Sequence, residues 1–369
     1  MKHNRLRAFL GPEWFLIISA GTGLIFLLWG RVLLANLANP AWFTVVFVWL
    51  FAVVQGSAIA VVRHADHLAV KLGEPLGTLV LTLAVTFIEV ISISAVMTHG
   101  ENNPTLVRDT LFAVVMIILN GMVGLSLLVG AWRHSEQSYN LQGANAYLGV
   151  IIPLVVLSML LPDFTVTTPG PTLAPMQEAF LAFVSVGLYA TFLMLQTGRH
   201  RSYFQLDREP AHHPSTVSAH PILFHAAMLV LYMVPVVFLA EHLAKPVDYL
   251  VEDLKFPAAL GGVIMAVLVA TPEAIGAVRA AIANHLQRSV NIFLGSVLST
   301  IGLTIPAMLL ASRWTGREIT LGVEHTDMVL LLLTLAVSVV TFASGRTNVI
   351  QGAVHLILFA VYLLLIVQG

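Results

Sequence analysis

The chain has 369 residues, 58% of them hydrophobic and 10% charged, with a formal net charge of −1. Soluble domains carry roughly 45–50% apolar and about 25% charged residues, so this is the composition of a membrane protein, and it lacks the basic surface that nucleic-acid binding needs. With no cysteine there is no disulfide framework, thiolate chemistry or cysteine zinc site.

Stretches of about 20 mostly apolar residues mark membrane-spanning helices. The first covers residues 12–31 behind the basic opening MKHNRLR. Its apolar run continues into RVLLANLA without a small-residue cleavage site, so it reads as a retained helix and not a signal peptide. Further spans are expected over 41–62, 75–97, 109–132, 147–164 and 175–197. A polar linker at 198–220, GRHRSYFQLDREPAHHPSTVSAH, divides the chain. Beyond it lie spans at 221–243, 256–283, 289–312, 326–344 and 349–368. The runs are too long for transmembrane strands and lack period-two alternation. Twelve of the 18 Lys and Arg residues, including Lys2, Arg5, Arg63, Lys71, Arg133, Arg199 and Arg346, fall on the side of the N-terminus. That excess predicts the N-terminus inside and the C-terminus outside.

Two of these segments look like copies. Glu89 follows Gly77 by twelve residues in GTLVLTLAVTFIEVISI, and Glu273 follows Gly261 by twelve in GGVIMAVLVATPEAIGAV. Setting the first helix aside leaves five helices on each side of the linker. Five is odd, so the second copy enters the membrane from the opposite side, the inverted-repeat plan of secondary transporters. The expected fold is therefore an all-α integral membrane protein of about 11 transmembrane helices. Residues 1–40 form an extra N-terminal helix, 41–197 and 221–369 the two five-helix repeats, and 198–220 a cytoplasmic linker.

In this arrangement the two glutamates are expected to meet near the bilayer midplane. An acidic side chain at a helix centre costs about 2.5–3.5 kcal/mol on insertion scales, so the pair requires a compensating partner. No Lys or Arg lies at that depth, which leaves a cation from solution, protons, or each in turn. Two neighbouring carboxylates resist double ionisation and share protons, whereas a divalent cation neutralises both. Pro272 cannot donate to the carbonyl of Leu268 and pushes Thr271 out of the helical region, so a helix break is expected just before Glu273, freeing carbonyl oxygens. Carbonyls and carboxylates are what a hard cation such as calcium takes. Thr86, Ser92, Thr271, Asn120, Ser296 and Ser299 can add oxygens or hold the carboxylates in place.

Other polar residues carry less. In RHADH, His64, Asp66 and His67 have a spacing that can hold zinc, but they fall in an expected connection and read better as solvated or capping groups. The same holds for His212, His213 and His220 in the linker. His355 reads as a satisfied polar contact ahead of a proton path, Asn291 as a cap or packing residue, and Glu74 as an acid facing a helix N-terminal dipole. Arg108 and Arg288 are expected at helix ends near headgroups. No HExxH motif supports a membrane metalloprotease, the deep pair is not aspartate, and eleven spans do not make a seven-helix receptor.

VVRHADHLAVKLGEPLGTLVLTLAVTFIEVISISAVM, TLVRDTLFAVVMIILNGMVG, ATPEAIGAVRAAIANHLQRSVNIFLGSVLSTIGLTIP and SGRTNVIQGAVHLILFAVYL together resemble the bacterial ChaA-type calcium/proton antiporters of the cation/calcium exchanger superfamily. The resemblance runs from about residue 40 to the end. It implies ten core helices plus one, a bacterial inner-membrane location, Glu89 and Glu273 as the paired ion-site acids, and Asn120 and Ser296 as polar groups completing the site. Plant and fungal relatives place an asparagine three residues before each glutamate, where this chain has Thr86 and Ala270. The function expected is Ca2+/H+ exchange by alternating access, with Na+/H+ or K+/H+ exchange as the alternative and a membrane enzyme with a carboxylate dyad a distant third. The partners are inorganic cations, protons and lipid, and no resident cofactor is expected.

Overall fold

The computed structural model describes residues 13–73, 76–98, 103–206 and 220–368. Glu74, His212 and His213 lie outside them. Among the described residues, ten helices are long and apolar enough to cross a membrane. They are α1 (Trp14–Leu33), α2 (Pro40–Leu72), α3 (Leu76–Thr98), α4 (Leu106–His134), α5 (Leu141–Phe164), α6 (Pro175–Thr197), α7 (Ile222–Asp253), α8 (Ala259–Ile282), α9 (Leu286–Thr315) and, last in the chain, α11 (Val349–Gln368). The shorter apolar α10 (His325–Thr341) completes one helix for each expected span. The protein is an all-α integral membrane protein.

Local chemistry sets the ends. Asn39 caps α2 by accepting from the Ala41 and Trp42 amides, ahead of a proline at the first helical position, and Gly73 ends the helix at φ 67°. Asn140 caps α5 in the same way, and Gly316 stops α9 in the left-handed conformation.

Two boundaries differ from expectation for a physical reason. At 33 residues α2 is about 50 Å long, against a hydrocarbon core of roughly 30 Å. Its last turns therefore need not be apolar, and RHADH is helix where a connection was expected. Helix α8 is not broken at Pro272 either; it runs unbroken from Ala259 to Ile282. A proline removes one backbone hydrogen bond, and neighbouring helices in a membrane bundle let the helix continue past it.

The chain divides into two compact units. The first, Met1–Glu101 with Thr216–Phe256, contains α1, α2, α3 and α7, with α2 packed along α7 and α3. Trp49 donates its indole N–H to Thr22 on α1 at 3.2 Å. The second, Asn102–Ser215 with Pro257–Gly369, holds the other seven helices around α4, whose first eleven residues are all buried. Glycines let its helices approach closely. A Cβ on Gly262 of α8 would fall 2.7 Å from the backbone of Asp109 and Thr110, and one on Gly352 of α11 would fall 2.6 Å from the Leu128 nitrogen of α4. A two-residue antiparallel ladder, Gln137–Ser138 with Arg346–Thr347, ties together the loops after α4 and α10.

Candidate functional site

Glu89 sits in the body of α3 with 1% of its surface exposed. Thr86 and Ser92, one turn to either side, are also buried, and their hydroxyls have no hydrogen-bond partner. Spacing of three places the three side chains along one face of the helix. A buried hydroxyl left without a partner costs about 1–3 kcal/mol, which a ligand at this strip would recover.

Glu273, in the body of α8, is half-buried. Its carboxylate accepts a hydrogen bond from the hydroxyl of Ser296 on α9. Ser299, one turn further along, donates to the Ser296 carbonyl at 2.9 Å, and Thr271 donates to the Val267 carbonyl at 2.6 Å. Each hydroxyl has thus spent its proton and keeps oxygen lone pairs to offer a cation. Leu268 is fully buried, and its carbonyl has no amide donor at Pro272. The structure therefore brings Ser296 to Glu273, with Ser299 one turn further along α9 and Thr271 and Leu268 on the same helix as the carboxylate.

Asn120 belongs to a different cluster of the second unit. Its amide nitrogen donates to Thr334 on α10 at 2.8 Å, and its oxygen lies 3.3 Å from Nδ1 of His355 on α11. The other ring nitrogen of His355 is 2.9 Å from the Thr341 hydroxyl, so this wholly buried histidine has both nitrogens satisfied. The α4 segment carrying Asn120, Ile117–Met122, is a π-turn, and α9 contains another at Thr300–Thr304. Such turns widen the helix and recur at functional positions. Sequence periodicity gave no sign of them, because one added residue hides easily in a run that is apolar all round. Asn291 lies inside α9, not at its cap, and donates to the Phe204 carbonyl at 2.8 Å.

Two ionic clusters escaped the sequence reading. In the first unit, the Glu13 carboxylate accepts from Arg63 at 2.6 Å and from the Tyr232 hydroxyl at 3.0 Å, and lies 3.3 Å from Nε2 of His64. The far nitrogen of His64 meets His225 at 3.0 Å. His64 is buried, correcting its reading as a solvated residue in a connection. Burial alone pushes the Glu13 carboxyl up, but Arg63, Tyr232 and His64 outweigh it and hold the group below the usual carboxylate range. In the second unit, Arg108 is buried and pairs with Asp109 at 2.8 Å, where a headgroup contact was expected. Both border a cavity of about 490 Å³ that also takes in Glu324, Asp327 and Tyr362. These acids begin helices, where a dipole partner is the ordinary reading, so the sequence alone did not single them out. Among the described residues no three or more His, Asp or Glu side chains converge tightly enough to hold a metal ion by themselves.

Long apolar helices carrying buried carboxylates and half-satisfied hydroxyls define a multi-pass membrane transport protein. Residues 42–198 and 224–368 both match the sodium/calcium exchanger protein family. The putative ionic transporter y4hA of Sinorhizobium fredii is 44% identical over 313 residues, 84% of this chain and 85% of that protein. The sodium-potassium/proton antiporter ChaA of Escherichia coli K12 is 38% identical over 318 residues, 85% and 86% of the two chains. Among solved structures, native YfkE, a Ca2+/H+ antiporter, aligns with a TM-score of 0.75 and 17% identity over 96% of this chain and 100% of that one. The chain belongs to the sodium/calcium exchanger family and is a ChaA-type cation antiporter.

Proposed function

We propose that this antiporter exchanges Ca2+ for protons, with Glu89 and Glu273 as the groups that bind each in turn. The observation that carries the reading is the occurrence of one buried or half-buried glutamate, twelve residues after a glycine, in each of the two family-matching segments, beside hydroxyls with oxygen to spare. Two carboxylates balance one divalent cation, and without the cation they favour uptake of protons, so the two ligands compete. Each drives the conformational equilibrium only through its different affinity for the two access states. Ser296, Ser299 and Thr271, with the Leu268 carbonyl, assist Glu273, while Thr86 assists Glu89. Asn120, held by Thr334 and His355, has one further oxygen lone pair to offer from α4. The two matched segments support an inverted repeat, and the Lys and Arg distribution supports an N-terminus inside a bacterial inner membrane.

A second reading, Na+ or K+ in place of Ca2+, is favoured by the name and 38% identity of the E. coli relative. Everted membrane vesicles with a pH-sensitive dye test both. Dequenching on addition of Ca2+ supports the first reading, and a response to Na+ or K+ alone supports the second. Glu89→Gln or Glu273→Gln is expected to abolish the response while membrane insertion is retained; near-normal exchange in either variant overturns the assignment of the glutamates.

A further inference from the structure

The cavity in the second unit lies at the start of α4, α8 and α10 and the end of α11. Its charged groups are Arg108, Asp109, Glu324 and Asp327, which leave an excess of negative charge. Asp109 and Asp327 lie in first helical turns and Glu324 at a helix cap, positions that suit an acid, and two of the three are also paired within the protein. Asp109 is engaged by Arg108 and, at 2.9 Å, by the Thr105 hydroxyl. Glu324 reaches Arg108 at 3.4 Å with its side chain 72% exposed to solvent.

Asp327 and Tyr362 are not accounted for in this way. The Asp327 carboxylate is half-buried, accepts no hydrogen bond and forms no ion pair among the described residues. Tyr362 is only 3% exposed, with ring contacts to Phe112 and Phe359, and its hydroxyl makes no hydrogen bond among the described residues. A carboxylate and a phenol, both unpartnered, thus border one water-sized space. The nearest fixed cation, Arg108, is already held by Asp109. A tyrosine whose ring is this deeply buried normally gives its hydroxyl a partner, and an unpaired carboxylate in a confined space attracts a counter-ion.

We propose that this cavity is a second cation site, separate from Glu89 and Glu273, in which Asp327 and Tyr362 hold a hard cation that keeps part of its water shell. The shell follows from the geometry: protein groups do not converge enough to replace it, and 490 Å³ leaves room for it. Arg108 acts as the fixed positive wall that keeps Asp109 out of the coordination sphere and leaves Asp327 for the ion.

Terbium, a hard trivalent stand-in for calcium whose emission is sensitised by a nearby tyrosine, reports on such a site directly. Purified full-length protein carrying both Glu89→Gln and Glu273→Gln is titrated with Tb3+. We expect saturable sensitised emission that excess Ca2+ competes away. Adding Asp327→Asn should weaken binding about tenfold or more, as loss of a charge at contact distance implies. Tyr362→Phe should remove most of the emission at saturation. Saturable emission in wild type but none in the double variant would mean that cations bind only at the glutamates and would overturn the second site while leaving the exchange mechanism intact. Emission indifferent to Asp327→Asn would overturn it equally. Should the double variant not yield folded protein, the same titration of wild type against Asp327→Asn alone decides, since the second site predicts loss of one of two binding phases.

Discussion

Helices α3 and α8 place a glutamate at the same distance from a starting glycine but settle it differently. Around Glu89 the supporting hydroxyls, Thr86 and Ser92, lie on the same helix and remain without partners. Around Glu273 the corresponding positions, three residues to either side, are Ala270 and Gly276, and the hydroxyl comes from Ser296 on the next helix. The hydroxyl that Glu273 uses therefore depends on how α8 and α9 pack, whereas those beside Glu89 travel with α3 itself. A hydroxyl lent by a neighbouring helix can be withdrawn by helix movement; one on the same helix keeps its place.

The largest effect should come from the acids themselves. Glu89→Gln and Glu273→Gln are each expected to lower vesicle exchange by more than about 100-fold, because an amide cannot alternate between proton and cation. Equal losses would make the two helices functional equals; a loss confined to one would break the comparison. Next, Ser296→Ala should raise the half-saturating cation concentration about tenfold, the size expected for one hydrogen bond to a charged group. Thr86→Ala, which removes a hydroxyl with no partner, should raise it less than about threefold unless that hydroxyl binds the ion directly. Pro272→Ala, which restores an amide donor to the Leu268 carbonyl in a helix that already continues through the proline, should raise the half-saturating cation concentration about twofold. No change would show that this carbonyl is not a ligand.

The smallest effect concerns a third carboxylate that transports nothing. Glu13 is held below the usual carboxylate range, so its stabilising contribution is present above that range and disappears as pH falls through the lowered value. Glu13→Gln should lower the unfolding temperature of detergent-solubilised protein near neutral pH. The gap from wild type should close as the solution is acidified well below the ordinary carboxylate pKa of about 4. A gap unchanged in acid would mean that packing, not charge, accounts for it.

The eleven apolar helices among the described residues were legible in the sequence because a hydrocarbon layer demands long apolar runs, and those runs survive local variation. The glutamates were legible because charge is rare in such runs. Less visible was anything set by partners far apart in the chain. His64 looks solvated until His225 and Glu13 close around it, and Arg108 looks like a headgroup anchor until Asp109 and Glu324 take hold of it. Pro272 misled for the opposite reason: the rule that a proline ends a helix assumes that water must rescue the lost bond, and a packed bundle relaxes that demand.

The widened turn at Ile117–Met122 bears on how this protein tolerates change in length. A π-turn holds one residue more than the α-helical path requires, and each residue advances a helix by roughly 100°. Deleting a single residue from 117–122 would let α4 tighten to regular geometry without rotating the segments that flank it. The side chains within the turn would lose their bearing, Asn120 among them, parted from Thr334 and His355 while the flanking segments kept their neighbours.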